Sequence, residues 1–192
     1  IGVVKALELG CKNFVLSQDT SISVEKYIKQ NGGIVYRSKV GEANVTAKMI
    51  ETKSQVGGEG SSGGFILSDF NYCRDGILTS GLIASIIKKE KFADALNFME
   101  KYHIIRGKVE YDSEQHDAIL KTLYDKMKEK FGNVDTLDGI KAIVDDDSWI
   151  LVRKSNTENA IRVSAESNSL EKVRNIDQEI KDLIKESHEQ IK

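Results

Sequence analysis

Two rhythms of apolar residues divide the 192-residue sequence, and the change from one to the other constrains the fold more than any other feature. Up to about Lys91, short apolar runs alternate with stretches of helical spacing. Asn13 to Leu16 reads as a strand after Gly10, and Thr20 or Ser21 stands ready to cap a helix carrying Val24, Tyr27 and Ile28. Asn31, Gly32 and Gly33 end that helix, Ile34 to Tyr36 forms the next strand, and Val45, Met49 and Ile50 mark a further helix. The stretch from Gln55 to Gly64 is polar and glycine-rich and reads as a connection. Phe65 to Leu67 then resumes as a strand, and Asp75 or Gly76 opens a helix with Ile77, Leu78, Leu82, Ile83, Ile86 and Ile87. This β-α-β-α order predicts an α/β domain, a mixed sheet with helices on both faces, over residues 1–91.

The second rhythm starts after a short helical linker, residues 92–100. A strand near Ile104 to Tyr111 precedes a helix with Ile119, Leu120, Leu123, Tyr124 and Met127. Three closely spaced strands follow at Gly139 to Val144, Trp149 to Val152 and Ala160 to Ala165. A last helix from Leu170 to about Ile184 carries Val173, Ile176, Ile180 and Leu183 on one face. The β-α-β-β-β-α order predicts a smaller α+β domain over 101–192, an antiparallel four-stranded sheet with both helices on one face. Proline is absent from the sequence, so turns rely on Gly, Asn and Asp.

Composition narrows the function classes. Lys plus Arg number 28 against 30 Asp plus Glu, a net charge of -2, so no long-range field draws in DNA or RNA, and nucleic acid is not expected as a partner. A small phosphorylated ligand needs only a local cluster of donors. The longest nearly apolar run, Ile77 to Ile87, is broken by Thr79, Ser80 and Ser85 and falls far short of the ~20 residues that span a bilayer, so no membrane partner is expected. Cys11 and Cys73 are isolated, which argues against a disulfide framework or zinc site and makes a reducing cytoplasm the default. Ile1, Val4, Ala6 and Leu7 already show helical spacing, so the chain reads as a fragment whose N-terminal neighbour is missing.

Arg153, Lys154, Ser155, Asn156, Thr157 and Glu158 lie between two strands and form the strongest chemical constellation. A phosphate offers only acceptor oxygens, and Arg supplies a planar fork for two of them. Ser155, Asn156 and Thr157 add hydroxyl and amide donors, a tight loop aims consecutive backbone N–H groups at one point, and Arg162 reaches the same region from the next strand. An ordinary polar hairpin has the same composition, so spacing alone leaves both readings open.

The segment DGIKAIVDDDSWILVRKSNTENAIRVSAES resembles the C-terminal domain of the α-D-phosphohexomutases, the superfamily of phosphoglucomutases, phosphomannomutases and phosphoglucosamine mutases. Their phosphate loop reads R-x-S-[NG]-T-E-P. Arg153, Ser155, Asn156, Thr157 and Glu158 match, and Asn159 replaces the proline, which affects loop stiffness more than ligand contact. Upstream, VGGEGSSGGFILSDF is similar to the sugar-recognition loop G-E-x-S-G-H, and CRDGILTSGLIASII to the R-D-G-I segment after it. Glu59 matches the glutamate that accepts hydrogen bonds from neighbouring sugar hydroxyls. The loop is one residue longer than usual, so Ser61 and Ser62 compete for the serine position, and Gly64 stands where histidine is usual. RSKVGEANVTAKM resembles the family's third domain, with Glu42 where many relatives carry a basic residue, so no acid-base role is carried over to it.

The resemblance covers nearly the whole chain, as the third and fourth domains of such an enzyme. It implies a hexose phosphate ligand, phosphate binding by Arg153, Ser155, Asn156, Thr157 and Arg162, and sugar binding by Glu59 with Ser61 or Ser62. The phosphorylated serine and the magnesium loop belong to the first and second domains, so no catalytic residue and no metal ligand is expected in this chain. Mg²⁺ and the missing N-terminal domains are implied for the intact enzyme. The competing class is a non-catalytic sugar-phosphate binding module. Smaller signals are read blandly: Asp145 to Asp147 as a solvated turn, His103, His116 and His188 as unrelated, Asp75 as a helix cap, and Arg74 as facing the cleft or pairing locally.

Overall fold

A computed structural model of the chain describes residues 2–60, 64–155 and 157–192. Ile1, Ser61, Ser62 and Asn156, all singled out in the sequence, lie outside the described residues. The chain divides into two compact units, Ile1–Lys101 and Tyr102–Lys192.

In the first unit, the elements in chain order are α1 (Gly2–Glu8), β1 (Asn13–Ser17), α2 (Ile22–Gln30), β2 (Ile34–Ser38), α3 (Glu42–Thr52), β3 (Val56–Glu59), β4 (Gly64–Leu67), α4 (Gly76–Ala84) and α5 (Glu90–Met99). The sheet order is β2-β1-β3-β4, with β1 parallel to both neighbours and β4 antiparallel to β3. Side chains alternate across such a sheet, so β1 faces two cores. Phe14 and Leu16 join Val3, Ala6 and Ile28 on one face, while Val15 joins Val45 and Met49 of α3 on the other. The result is the mixed sheet between helices expected from the sequence.

Two boundaries depart from the expectation. The glycine-rich stretch after Gln55 is not all connection, because its first part is β3, held between β1 and β4. Gly57 explains why glycine is used there: a methyl group on it would overlap Met49 Sδ and lie 2.9 Å from Val45 Cγ1, so α3 lies tight against bare backbone. The stretch 92–100 is helical, but it is not a free linker. Phe92 and Ala95 of α5 are buried with Val4 and Ile86 of the first unit.

The second unit comprises β5 (His103–Val109), α6 (His116–Phe131), β6 (Val134–Asp135), β7 (Ile140–Asp145), β8 (Ser148–Lys154), β9 (Ile161–Ser167) and α7 (Leu170–Gln190). All strands pair antiparallel in the order β5-β9-β8-β7-β6. The four expected strands are present, and β6 adds a fifth; two residues are too few to show an alternation. Ile119, Leu123 and Met127 of α6 and Val173, Ile176, Ile180 and Ile184 of α7 close one sheet face over Ile150, Val152, Ile161 and Val163. Full burial of such a side chain contributes about 1.5–3 kcal/mol, which makes this the dominant core of the unit. Among the described residues, no helix is long and apolar enough to cross a membrane.

Candidate functional site

In the first unit, β1 leads through α2 to β2 and the chain then crosses through α3 to β3, so β1 and β3 diverge at a switch in direction. Open α/β sheets place ligands outside the carboxyl ends of strands at such a point. Ser17 and Glu59 occupy those ends. Ser17 Oγ accepts from Gly60 N at 3.0 Å and donates to Asp19 Oδ1 at 2.6 Å. Arg37 braces the same turn by donating to the carbonyls of Ser17 (2.8 Å) and Thr20 (3.0 Å) and by pairing with Glu25. A methyl group on Gly60 would lie 2.6 Å from Asp19 O and Thr20 Cα, so the chain after Glu59 is pressed onto this turn.

Glu59 itself is only 8% exposed, and Arg74 Nη1 donates to its Oε2 at 3.1 Å. Arg74 also reaches Glu42, through Nε to Oε2 at 2.7 Å and through its backbone N to Oε1 at 2.9 Å. Hydrogen bonds and charge from Arg74 hold the Glu42 carboxyl below the usual glutamate range, and the Arg74 guanidinium is pushed up in turn. Glu42, Gly64, Arg74, Thr79 and Ser80 line a cavity of about 510 Å³ beside the first turn of α4. Asp75 caps that helix by accepting from Leu78 N at 2.7 Å, as the sequence suggested. The pairing of Arg74 with two carboxylates, and the bracing turn from Ser17 to Thr20, were missed in the sequence. The polar end of the β1 run, just where a parallel sheet places ligands, is the signal that could have found the turn.

In the second unit, the Arg153–Glu158 segment turns between β8 and β9, closed by Ser155 N donating to Ala160 O at 2.9 Å. Arg153 stands opposite Arg162, and Arg162 opposite Lys108, so three cations form a row across β8, β9 and β5. Directly opposed residues project from the same side. Alternation from Val152 and Ile161 puts that row on the face away from α6 and α7. Glu158 answers two of them: Lys108 Nζ at 3.2 Å and Arg162 Nη2 at 2.8 Å. The Lys108 hydrogen bond and the Arg162 charge hold its carboxyl below the usual range. Arg153 donates from Nη1 to Lys154 O at 3.1 Å and lies 3.9 Å from Asp138 Oδ2.

The backbone N–H groups of Thr157 and Glu158 converge on Ser155 Oγ at 3.4 and 3.2 Å. Both bonds are long, so an anion's oxygen competes with them at little cost. The structure therefore gathers Arg153, Ser155, Thr157 and Arg162 at one turn and sets Glu59 at a strand end beside Arg74. The Asp145–Asp147 turn is occupied internally: Asp145 takes Lys172 and the N–H of Asp147, and Asp147 takes Asn168 Nδ2 at 2.9 Å. His116 is buried against Tyr111 O.

Residues 4–102 match the family described as phosphoglucomutase/phosphomannomutase, alpha/beta/alpha domain III, and residues 105–183 match the C-terminal domain of the same enzymes. The chain belongs to the phosphoglucomutase/phosphomannomutase family. A protein named probable phosphoglucosamine mutase from Methanopyrus kandleri is 29% identical over 187 residues, covering 96% of this chain and 41% of that protein. A second of that name, from Methanosphaera stadtmanae, is 34% identical, covering 89% of this chain and 41% of its own. Among solved structures, a phosphoglucomutase/phosphomannomutase family protein from Burkholderia thailandensis superposes with a TM-score of 0.71 at 20% identity, covering 96% of this chain and 40% of that one, a likeness of fold. The chain thus spans about two fifths of the length of these family members. The two matches fall on the domains that the motifs resembled.

Proposed function

We propose that this chain is the substrate-binding half of a phosphohexomutase, an enzyme that interconverts hexose 1-phosphates and hexose 6-phosphates. The observation that carries the reading is the turn after Arg153, where the N–H groups of Thr157 and Glu158 converge on the Ser155 hydroxyl beside the opposed cations Arg153, Arg162 and Lys108, in a chain of this family. Arg153, Ser155, Asn156 and Thr157, supported by Arg162, hold the phosphate that does not react. Glu59, with Ser61 or Ser62, accepts hydrogen bonds from adjacent sugar hydroxyls, since one carboxylate receives two O–H donors. Positioning of this kind lowers a barrier substantially without covalent chemistry by these residues.

In the intact enzyme, a phosphoserine outside this chain gives its phosphoryl group to the bound hexose phosphate. The bisphosphate reorients, and the other phosphate returns to the serine. Mg²⁺, which stabilises charge on the transferring group, is assigned to a domain outside this chain. Among the described residues no group of three or more His, Cys, Asp or Glu is placed to hold a metal. The protein acts as a soluble cytoplasmic enzyme on small phosphosugars.

Titration of the chain with glucose 6-phosphate, followed by amide NMR shifts, tests the binding roles. Shifts are expected at Arg153 to Glu158 and at Glu59 to Gly64, and shifts at neither overturn the reading. In a coupled assay with hexose 1-phosphate and a bisphosphate activator, the chain alone should remain at background. Turnover there would refute the division of labour, and binding without turnover by the full-length protein would favour the non-catalytic module.

A further inference from the structure

The first unit pairs two features: a glycine at position 64, where the family usually has histidine, and an arginine that spans two carboxylates. Arg74 lies across the start of β4, and its stem occupies the space a side chain at 64 would need. A methyl group on Gly64 would overlap Arg74 Cδ and come within 2.6 Å of Cγ. These are atoms in the middle of the side chain, so rotating the guanidinium does not clear them; the whole arginine must leave. Gly64 stands opposite Glu59 in the β3–β4 register, so the glycine that admits the arginine faces the carboxylate the arginine grips.

We propose that Arg74 is the positioning residue of the sugar site, and that Gly64 and Arg74 act as one unit to set the Glu59 carboxylate. The inference rests on the reading of Glu59 as the sugar-binding group. Two anchored ends define the setting. Glu42 takes Nε and the backbone N–H of Arg74, which fixes where the guanidinium lies, and Nη1 then fixes Oε2 of Glu59. A carboxylate only 8% exposed and held at Oε2 by Nη1 has fewer orientations in which to accept sugar hydroxyls. Without the fork it gains rotamers, and ordering it becomes a cost of binding. Arg74 and Glu42 also line the adjacent cavity, together with Gly64.

The test is a mutant cycle on the whole chain with two ligands, glucose 6-phosphate and inorganic phosphate, measured by calorimetric titration. Arg74→Ala and Gly64→Ala should each weaken glucose 6-phosphate binding by roughly tenfold, the scale of one charge-assisted hydrogen bond. The double variant should be no weaker than either single one. Inorganic phosphate, which has no hydroxyl pair for Glu59, should bind all of them as it binds wild type. Arg74→Lys, which keeps the charge and loses the fork, should recover only part of the loss, and it supplies a folded comparison if the alanine variants melt early. Losses that multiply in the double variant, or a silent Gly64→Ala, overturn the coupling. A wild-type chain that binds glucose 6-phosphate no better than inorganic phosphate overturns instead the sugar-site reading beneath it.

Discussion

Glu59 and Gly60 are held from inside their unit, whereas Ser155, Thr157 and Glu158 are held at the surface of theirs. The first pair ends a central strand. Ser17, buried completely, receives the Gly60 N–H, and backbone atoms of Asp19 and Thr20 press on Gly60. The second group ends a hairpin, where Thr157 and Glu158 are exposed and the internal bonds run at 3.2 to 3.4 Å. Hydroxyl positions on a sugar ring differ between substrates by one stereocentre, and discrimination at that level needs groups that do not move. A phosphate is the same in every substrate and reorients during the proposed reaction, so a turn that trades weak internal bonds for an anion suits it. Rigidity and adaptability are thus assigned to different units.

The sharpest way to break this contrast is to change one side chain in each turn. Gly60→Ala should lower the unfolding free energy of the first unit by about 1–3 kcal/mol, because the methyl group meets backbone that cannot withdraw. Thr157→Ala in the other turn should stay within about 0.5 kcal/mol. Equal costs in urea denaturation would remove the contrast. Next in size, Arg153→Ala should weaken hexose phosphate binding by about 1.5–3 kcal/mol while leaving the melting temperature nearly unchanged. A large stability loss instead would make Arg153 a structural residue.

Acid titration sharpens the same comparison. Burial pushes the Glu25 carboxyl up, but the charges of Arg37 and Lys29 outweigh it and hold the group below its ordinary value of 4.5. A carboxyl lowered by folding stabilises above its unfolded value and loses that contribution as pH falls through the folded one. The first unit should therefore lose stability below about pH 4.5, and Glu25→Gln should flatten that limb; an unchanged slope would show that the brace on the Ser17 turn carries no weight. Smallest of all, Glu158→Gln should leave stability nearly unchanged, as loss of an exposed pair does, and should raise affinity for inorganic phosphate by releasing Lys108 and Arg162. Weaker phosphate binding would instead make Glu158 part of the site's architecture.

The elements with long periodic faces were legible in the sequence. The helices α6 and α7 and the strands β5, β7, β8 and β9 follow the spacing of Ile119, Leu123, Val173, Ile180, Val152 and Val163. β3 was not legible, since Gly57 and Gly58 carry no side chain to alternate and their glycine content signals a loop. The turn proposed to hold phosphate stood out as a candidate because its polar residues are consecutive. The bridge from Arg74 to Glu42 and Glu59 was not, because those contacts span 32 and 15 residues and only the folded sheet brings them together.

Gly139, just before β7, has a positive φ of 77° and lies against the end of β8, where a methyl group would overlap Val152 O and sit 2.6 Å from Arg153 Cβ. The close approach of the strand that carries Arg153 therefore depends on a neighbouring residue, as a side chain left out. A survey that replaced only charged residues with alanine would never touch that dependence. Redesigning the turn for a larger anion would have to begin with the hollow that Gly139 keeps open, before any donor is changed.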